Sequence, residues 1–337
     1  MTAGPAPAVV AAAVLAIGLA CAAYLGAAAV LRRRGDAWPW HRDCLFAAGC
    51  AVVVHGLWGP VPGGPFTAHS VRHLLIGMGG PVLLVAARPL TLTLRTLPPG
   101  GVRRGLLRIA HSAPAGWLLF PPVAAVVDIG GLWALYRTEL LAAVHHRPVL
   151  GALLDLHMLA AGLLFTFAVL SLDPVRRRWS LASRAATLLL AGAAHAVLAK
   201  SLYATGPPGT SFGTSDLRLG AQVMYYGGDA VEVALAVVLA VQWYAAVGRA
   251  RVRTERGVRR PRTGRPARTG EERAPGDRPE EPLRASRTQP PRTGNTPGGY
   301  AVTFPHRHES PTQTQTQTQT QPPKRPSEPN GDGDRWR

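Results

Sequence analysis

Of the 11 histidines in this 337-residue chain, five fall inside or at the edge of long apolar stretches: His55, His69, His73, His157 and His195. His69 and His73 are spaced i, i+4, which puts both imidazoles on one helix face with their Cβ atoms about 6 Å apart. Imidazoles so placed can share a transition-metal ion, and a histidine from a neighbouring helix can complete the set. Met78, Met158 and Met224 would add soft ligands suited to Cu(I), although His157 and Met158, as neighbours, point to different faces. The same spacing also suits ordinary packing, so the pair alone does not decide. Asp128, Asp155, Asp229 and Glu232 are carboxylates in equally apolar surroundings, and Arg72 lies between the paired histidines. An ionised group at the centre of a membrane helix costs about 3 kcal/mol by insertion scales, so each needs a partner or a purpose. They can pair with Arg72 or Lys200 and fix helix register; Asp229 and Glu232, spaced i, i+3, can also pass a proton. Asp155 and Glu232 read as structural, while Asp128 and Asp229 stay open between the two roles. Cys21, Cys44 and Cys50 are odd in number and form no Cys-x-x-Cys, so they read as packing residues.

Seven stretches approach the ~20 apolar residues that a ~30 Å hydrocarbon core requires: 8–31, 43–59, 69–90, 116–136, 149–172, 184–204 and 219–247. The fold class is therefore all-α, a polytopic membrane helix bundle of seven transmembrane helices over residues 1–247. The first stretch carries no Lys or Arg on its N-terminal flank, and Arg32, Arg33 and Arg34 follow it directly, the pattern of a retained anchor and not of a signal peptide. Alternate connections carry Arg32, Arg33, Arg34, Arg42, then Arg88, Arg95, Arg103, Arg104, Arg108, then Arg176, Arg177, Arg178 and Arg184, against only Arg137, Arg147 and Arg218 on the other side. The positive-inside rule then predicts the N-terminus outside and the C-terminus in the cytoplasm. Trp58, Trp133 and Tyr203 near one interface, and Trp38, Trp40, Trp179, Trp243 and Tyr244 near the other, read as an aromatic belt. Pro and Gly close the tight outer connection 59–65, and Asp173-Pro174 ends the fifth helix at the inner face.

Residues 248–337 are rich in Arg, Pro, Gly and Thr and contain a Gln-Thr repeat over 312–321. They predict a disordered, basic cytoplasmic tail, in which His306 and His308 read as solvated. Lys and Arg number 37 against 19 Asp and Glu. In a chain this apolar, that excess is an orientation signal that favours anionic membrane lipid; nucleic acid is not an expected partner.

Placed on this topology, His55, His69, His73, His157, His195, Asp128 and Lys200 fall in the outer half of the bundle, and Asp229 and Glu232 near its midplane. The inner half holds almost no charge besides its flanking arginines. Six helices thus send polar groups to one depth.

The run His69-Ser-Val-Arg-His73-Leu-Leu-Ile-Gly-Met-Gly-Gly-Pro81 through Arg88-Pro89-Leu90 resembles the third-helix signature of the CtaG-type cytochrome c oxidase assembly factor family of bacterial membrane proteins. So does His157-Met-Leu-Ala-Ala-Gly162-Leu-Leu-Phe165, running on to Leu172-Asp173-Pro174. His195, Gln222, Gly227, Gly228 and Glu232 are similar to later parts of the same pattern, which spans roughly residues 40–245. The resemblance implies a non-enzymatic assembly factor whose partners are haem–copper oxidase subunits, with a role in copper delivery or copper-centre formation. On that reading copper is the expected cofactor, with His69, His73 and His157 as first-choice ligands and His55 or His195 in support. Two other functions stay open: a haem-binding membrane cytochrome, for which His73 and His157 would supply axial ligands, and a metal or proton transporter using Asp128, Asp229 and Glu232. A retinal-type receptor is a poorer reading still, because the seventh helix has no lysine for a Schiff base and Lys200 lies close to the outer end of the sixth. No nucleophile–base arrangement points to an enzyme.

Overall fold

The structure, a computed structural model, describes residues 7–173 and 179–259, all helical or connecting and without strands. Contacts divide the chain into Met1–Gly264 and Arg265–Arg337; the second unit, with the Gln-Thr repeat, His306 and His308, lies outside the described residues, as do Pro174 and Arg176–Arg178. In chain order the helices are α1 (Pro7–Arg33), α2 (Trp40–Trp58), α3 (Pro65–His73), a π-helical segment (Leu74–Gly79), α4 (Gly80–Ala86), α5 (Pro89–Thr96), α6 (Gly101–Ala110), α7 (Ala113–Leu118), α8 (Pro121–Arg137), α9 (Leu140–His146), α10 (Pro148–Leu170), α11 (Leu181–Ala204) and α12 (Thr214–Arg259).

Each of the seven predicted stretches contains a helix. Five runs are long and apolar enough to cross a membrane: Ala8–Arg33, Pro65–Thr96, Pro148–Leu170, Leu181–Ala204 and Thr214–Arg251. The stretches at 43–59 and 116–136 are the exceptions. The first is α2, whose opening turns hold His41, Arg42 and Asp43. The second does not start at 116 but at Pro121, because Pro121 and Pro122 push Phe120 into extended backbone and break the chain after α7. That leaves α8 with 17 residues, or about 26 Å. The last helix, by contrast, runs on to Arg259, past the boundary expected at 247.

The run α3–π–α4 is central, touching α2, α10 and α12. Small residues let it come close, as membrane helices without a hydrophobic driving force require. Gly220 and Gly227 of α12 receive Phe66 and Leu74, and Gly49 and Gly56 of α2 receive Leu84 and Ile76. The π segment has a cause in the sequence. Pro81 has no N–H, so the Gly77 carbonyl loses its helical partner; that oxygen points at α10, where a Cβ on Gly162 would collide with it. The extra residue in the turn accommodates this approach. Below and above this crossing lie two cores. One gathers Phe66, Leu135, Tyr136, Met158, Leu202 and Met224; the other gathers Val85, Phe165, Val169, Leu188 and Leu235.

The arginine-bearing end is stitched by polar side chains. Arg88, with φ +56°, breaks the run before Pro89. The buried Asp173 carboxylate then accepts from the Thr91 amide (2.8 Å) and the Thr91 hydroxyl, capping α5 from 82 residues away. The Tyr24 hydroxyl donates to the Ala87 carbonyl at 2.8 Å. Arg184 departs from expectation: it is buried, not a solvated flanking charge, and donates to the Val169 and Leu170 carbonyls and to Gln242. It thereby satisfies the orphan carbonyls at the end of α10. Trp38 is also buried, under the Arg42 guanidinium, whereas Trp40, Trp58, Trp243 and Tyr244 are exposed as a belt requires. Replacing Asp173 by Ala is expected to cost about 1–2 kcal/mol, seen as a lower thermal midpoint in detergent; Asp173→Asn, which keeps an acceptor, should lose less.

Candidate functional site

Polar groups collect where α3, α8, α10, α11 and α12 meet. His73, at the end of α3, is buried, and so is His195 in the middle of α11. Their rings lie 5.8 Å apart, centroid to centroid, tilted by 40°. Behind His195, Oε1 of Glu232 lies 3.5 Å from Nδ1. The rings fit because glycine vacates their space: the His195 ring occupies the notch at Gly228 and the Glu232 carboxylate the notch at Gly192, and a Cβ at either glycine would collide with them. Gly77, one turn after His73, would place a Cβ 3.3 Å from the imidazole Nδ1. Neither ring nitrogen of His73 has a hydrogen-bond partner, nor has Nε2 of His195; Nδ1 of His195 has only the Glu232 carboxylate. Three unsatisfied nitrogens in a buried membrane site are costly, and an imidazole lone pair with nothing else to bind is available to a metal ion.

A second group adjoins the first. His73, Asp128, His157 and Met158 line a cavity of about 10 Å³, room for one water-sized occupant. The His157 ring rests in the notch at Gly131 of α8, although the residue as a whole is exposed. His69 stands one turn from His73, half-buried, edge-on to Tyr136 with 5.7 Å between ring centres. The spacing that places His69 and His73 on one face therefore holds, but the neighbour meeting His73 is His195. His55 is exposed and folded against Gly59 at the end of α2. Arg72 on α3 and Asp155 on α10 are both half-buried. Asp229 is half-buried on α12. Among the described residues no three His, Cys, Asp or Glu side chains converge as a ready-made metal centre.

One residue that positions the site was not legible in the sequence. Asp216, in the first turn of α12, accepts from the amides of Phe66 (2.9 Å) and Thr67 (3.0 Å) and from the Thr67 hydroxyl (2.6 Å). It caps the start of α3, which carries no capping side chain of its own behind Gly64 and Pro65. An aspartate opening a helix normally serves that helix, so nothing local marks a partner 150 residues away.

The profile of a family described as cytochrome c oxidase caa3 assembly factor (Caa3_CtaG) matches residues 22–246. Among curated proteins, the uncharacterized protein Mb0105 of Mycobacterium bovis is 34% identical over 174 residues, 49% of this chain and 26% of that protein. The uncharacterized protein MT0111 of Mycobacterium tuberculosis matches to the same extent. The uncharacterized protein ML1998 of Mycobacterium leprae is 24% identical over 254 residues, 69% of this chain and 38% of its own length. The chain thus spans well under half the length of these relatives. No solved structure matches.

Proposed function

The chain belongs to the cytochrome c oxidase caa3 assembly factor family, and on that premise we propose that it supports maturation of a haem–copper oxidase by holding copper between His73 and His195. The observation that carries this reading is the buried imidazole pair, 5.8 Å apart, in which both His73 nitrogens and Nε2 of His195 have no hydrogen-bond partner. Two imidazoles fall short of the four ligands of a structural zinc site. They suit Cu(I), which accepts few ligands and binds imidazole well. Glu232 behind His195 plays the part of the carboxylate that orients a ligating histidine. Bound copper would supply the cargo; the chain's own groups would hold it, keep water from it and release it. The cavity of about 10 Å³ beside His73 favours an ion over haem, since a porphyrin has no room there.

In this reading the bundle crosses the bacterial cell membrane seven times, α2 and α8 completing the five longer runs, with the N-terminus outside and the tail in the cytoplasm. The histidine-bearing half then faces outward, and the chain acts as a non-enzymatic partner of oxidase subunits. Reporter fusions test the orientation: one at residue 62 is expected to be active only as a periplasmic reporter, and one at residue 250 only as a cytoplasmic reporter. Restoration of oxidase activity by this chain in cells lacking it tests the function, and a Soret band in the purified protein would favour the haem alternative.

A further inference from the structure

At the arginine-bearing end a cleft of about 800 Å³ opens between the turn after α1 and the segment α5–α6. Arg34, Arg95 and Arg103 line it, with Asp36 as its one carboxylate; Leu94, Leu97, Pro98 and Pro99 form an apolar wall. Two of the arginines also hold the walls together. Arg34 donates to the Thr96 carbonyl at 3.1 Å, and Arg95 donates to the Ala37 carbonyl at 3.2 Å and pairs with Asp36 at 3.3 Å. Arg103 differs: its Nε is buried and has no hydrogen-bond partner. The surroundings add further positive charge. Arg42, just before the apolar part of α2, stands near Arg88 and Arg95. Such an accumulation calls for an anion.

The helix that carries Arg103 says which anion. In α6, Gly-Val-Arg-Arg-Gly-Leu-Leu-Arg-Ile-Ala, none of the residues is buried, and Val102 and Ile109 are 74% and 69% exposed. Its basic residues Arg103, Arg104 and Arg108 alternate with Leu106, Leu107 and Ile109 at helical spacing, the pattern of a helix lying in the membrane interface. Trp40 and Trp117, 70% and 69% exposed, stand on neighbouring segments as interfacial anchors do. A basic pocket with an apolar wall beside such a helix fits a phosphate headgroup with its acyl chain laid along the wall.

We propose that the cleft formed by Arg34, Arg95 and Arg103 binds the headgroup of an anionic phospholipid. Arg103 is the residue with free donor capacity and takes the phosphate, bidentate in the manner of guanidinium. Arg34 and Arg95 frame the site and supply charge.

The test uses the full-length chain in detergent, titrated with short-chain phosphatidylglycerol and, separately, with phosphatidylcholine, and read by native mass spectrometry. The wild type is expected to bind phosphatidylglycerol at least about tenfold more tightly than phosphatidylcholine, and Arg103→Gln to lose that preference. Arg104→Gln, next along the same helix and outside the cleft, should keep it. Equal loss in both variants would reduce the effect to general surface charge and overturn the site. Displacement of the lipid by low-millimolar inorganic phosphate would assign the cleft to free phosphate and overturn the lipid reading. Should Arg103→Gln fail to fold, Arg103→Lys serves instead: a point charge without the fork is expected to weaken binding while keeping some preference, and unchanged affinity would contradict the role given to Arg103.

Discussion

Cells whose only copy of this chain carries His73→Ala/His195→Ala are expected to lose most of their caa3-type oxidase activity, at least about tenfold, while accumulating the chain at near-normal levels. Both rings are buried, at 6% and 1% exposure, yet make no hydrogen bond whose loss would unfold the bundle. Their removal leaves a cavity, but it also removes three unsatisfied nitrogens, so the two effects on stability oppose each other. That opposition makes the double variant informative: a packing role predicts falling protein levels, and a ligand role predicts intact protein without activity. The parallel variant His55→Ala touches an exposed ring folded on Gly59 and is expected to retain activity. Oxidase activity in membranes, normalised to the amount of chain by immunoblot, is the measurement.

The largest effect on folding is expected from Gly162→Val. A Cβ at Gly162 would collide with the Gly77 carbonyl oxygen and lie 3.1 Å from Cγ of Pro81. The obstacle is backbone, not a side chain that can swing aside. Relief requires α10 to retreat from the π segment, opening the contact that aligns Met158 and the cavity beside His73. A cost of about 3–5 kcal/mol follows, at the upper end of what single substitutions cause. The expected result is a chain that fails to accumulate or aggregates on extraction. Gly130→Val serves as the control, because the nearest atom to a Cβ there is Val126 Cγ1 at 3.8 Å. Normal accumulation of Gly162→Val would mean that the α10 crossing is looser than the structure has it.

These two sites differ in how far the sequence revealed them. Apolar length and flanking proline marked the helices well, and where the fourth stretch was misplaced the reason was Pro121-Pro122 acting on Phe120. That His73, His195, Asp128 and His157 gather at one level of the bundle was also readable, because level follows from residue count along a helix, whereas Glu232, expected nearer the midplane, meets His195. Which of them meet was not, because that depends on how each helix is rotated against its neighbours. The i, i+4 pair pointed to His69 as the partner of His73, but His69 turns to Tyr136 and the facing ring is His195. The glycines that set those rotations, Gly192 and Gly228, read locally as ordinary small residues; their meaning is a notch for Glu232 and for His195. Arg184 misled for a related reason. An arginine beside a helix end reads as a solvated flank, but this one reaches back to the α10 carbonyls and Gln242. Asp216 and Asp173 cap helices 150 and 82 residues away, a kind of contact that no local pattern announces.

Copper content of the purified full-length chain tests the central claim most directly. After anaerobic loading with Cu(I) and removal of excess metal, the wild type is expected to retain about one copper per chain, His55→Ala the same, and His73→Ala/His195→Ala essentially none. Glu232→Gln, which removes the charge 3.5 Å behind His195, should bind about ten- to a hundredfold more weakly. Equal copper retention by the wild type and the His73→Ala/His195→Ala variant would contradict the account.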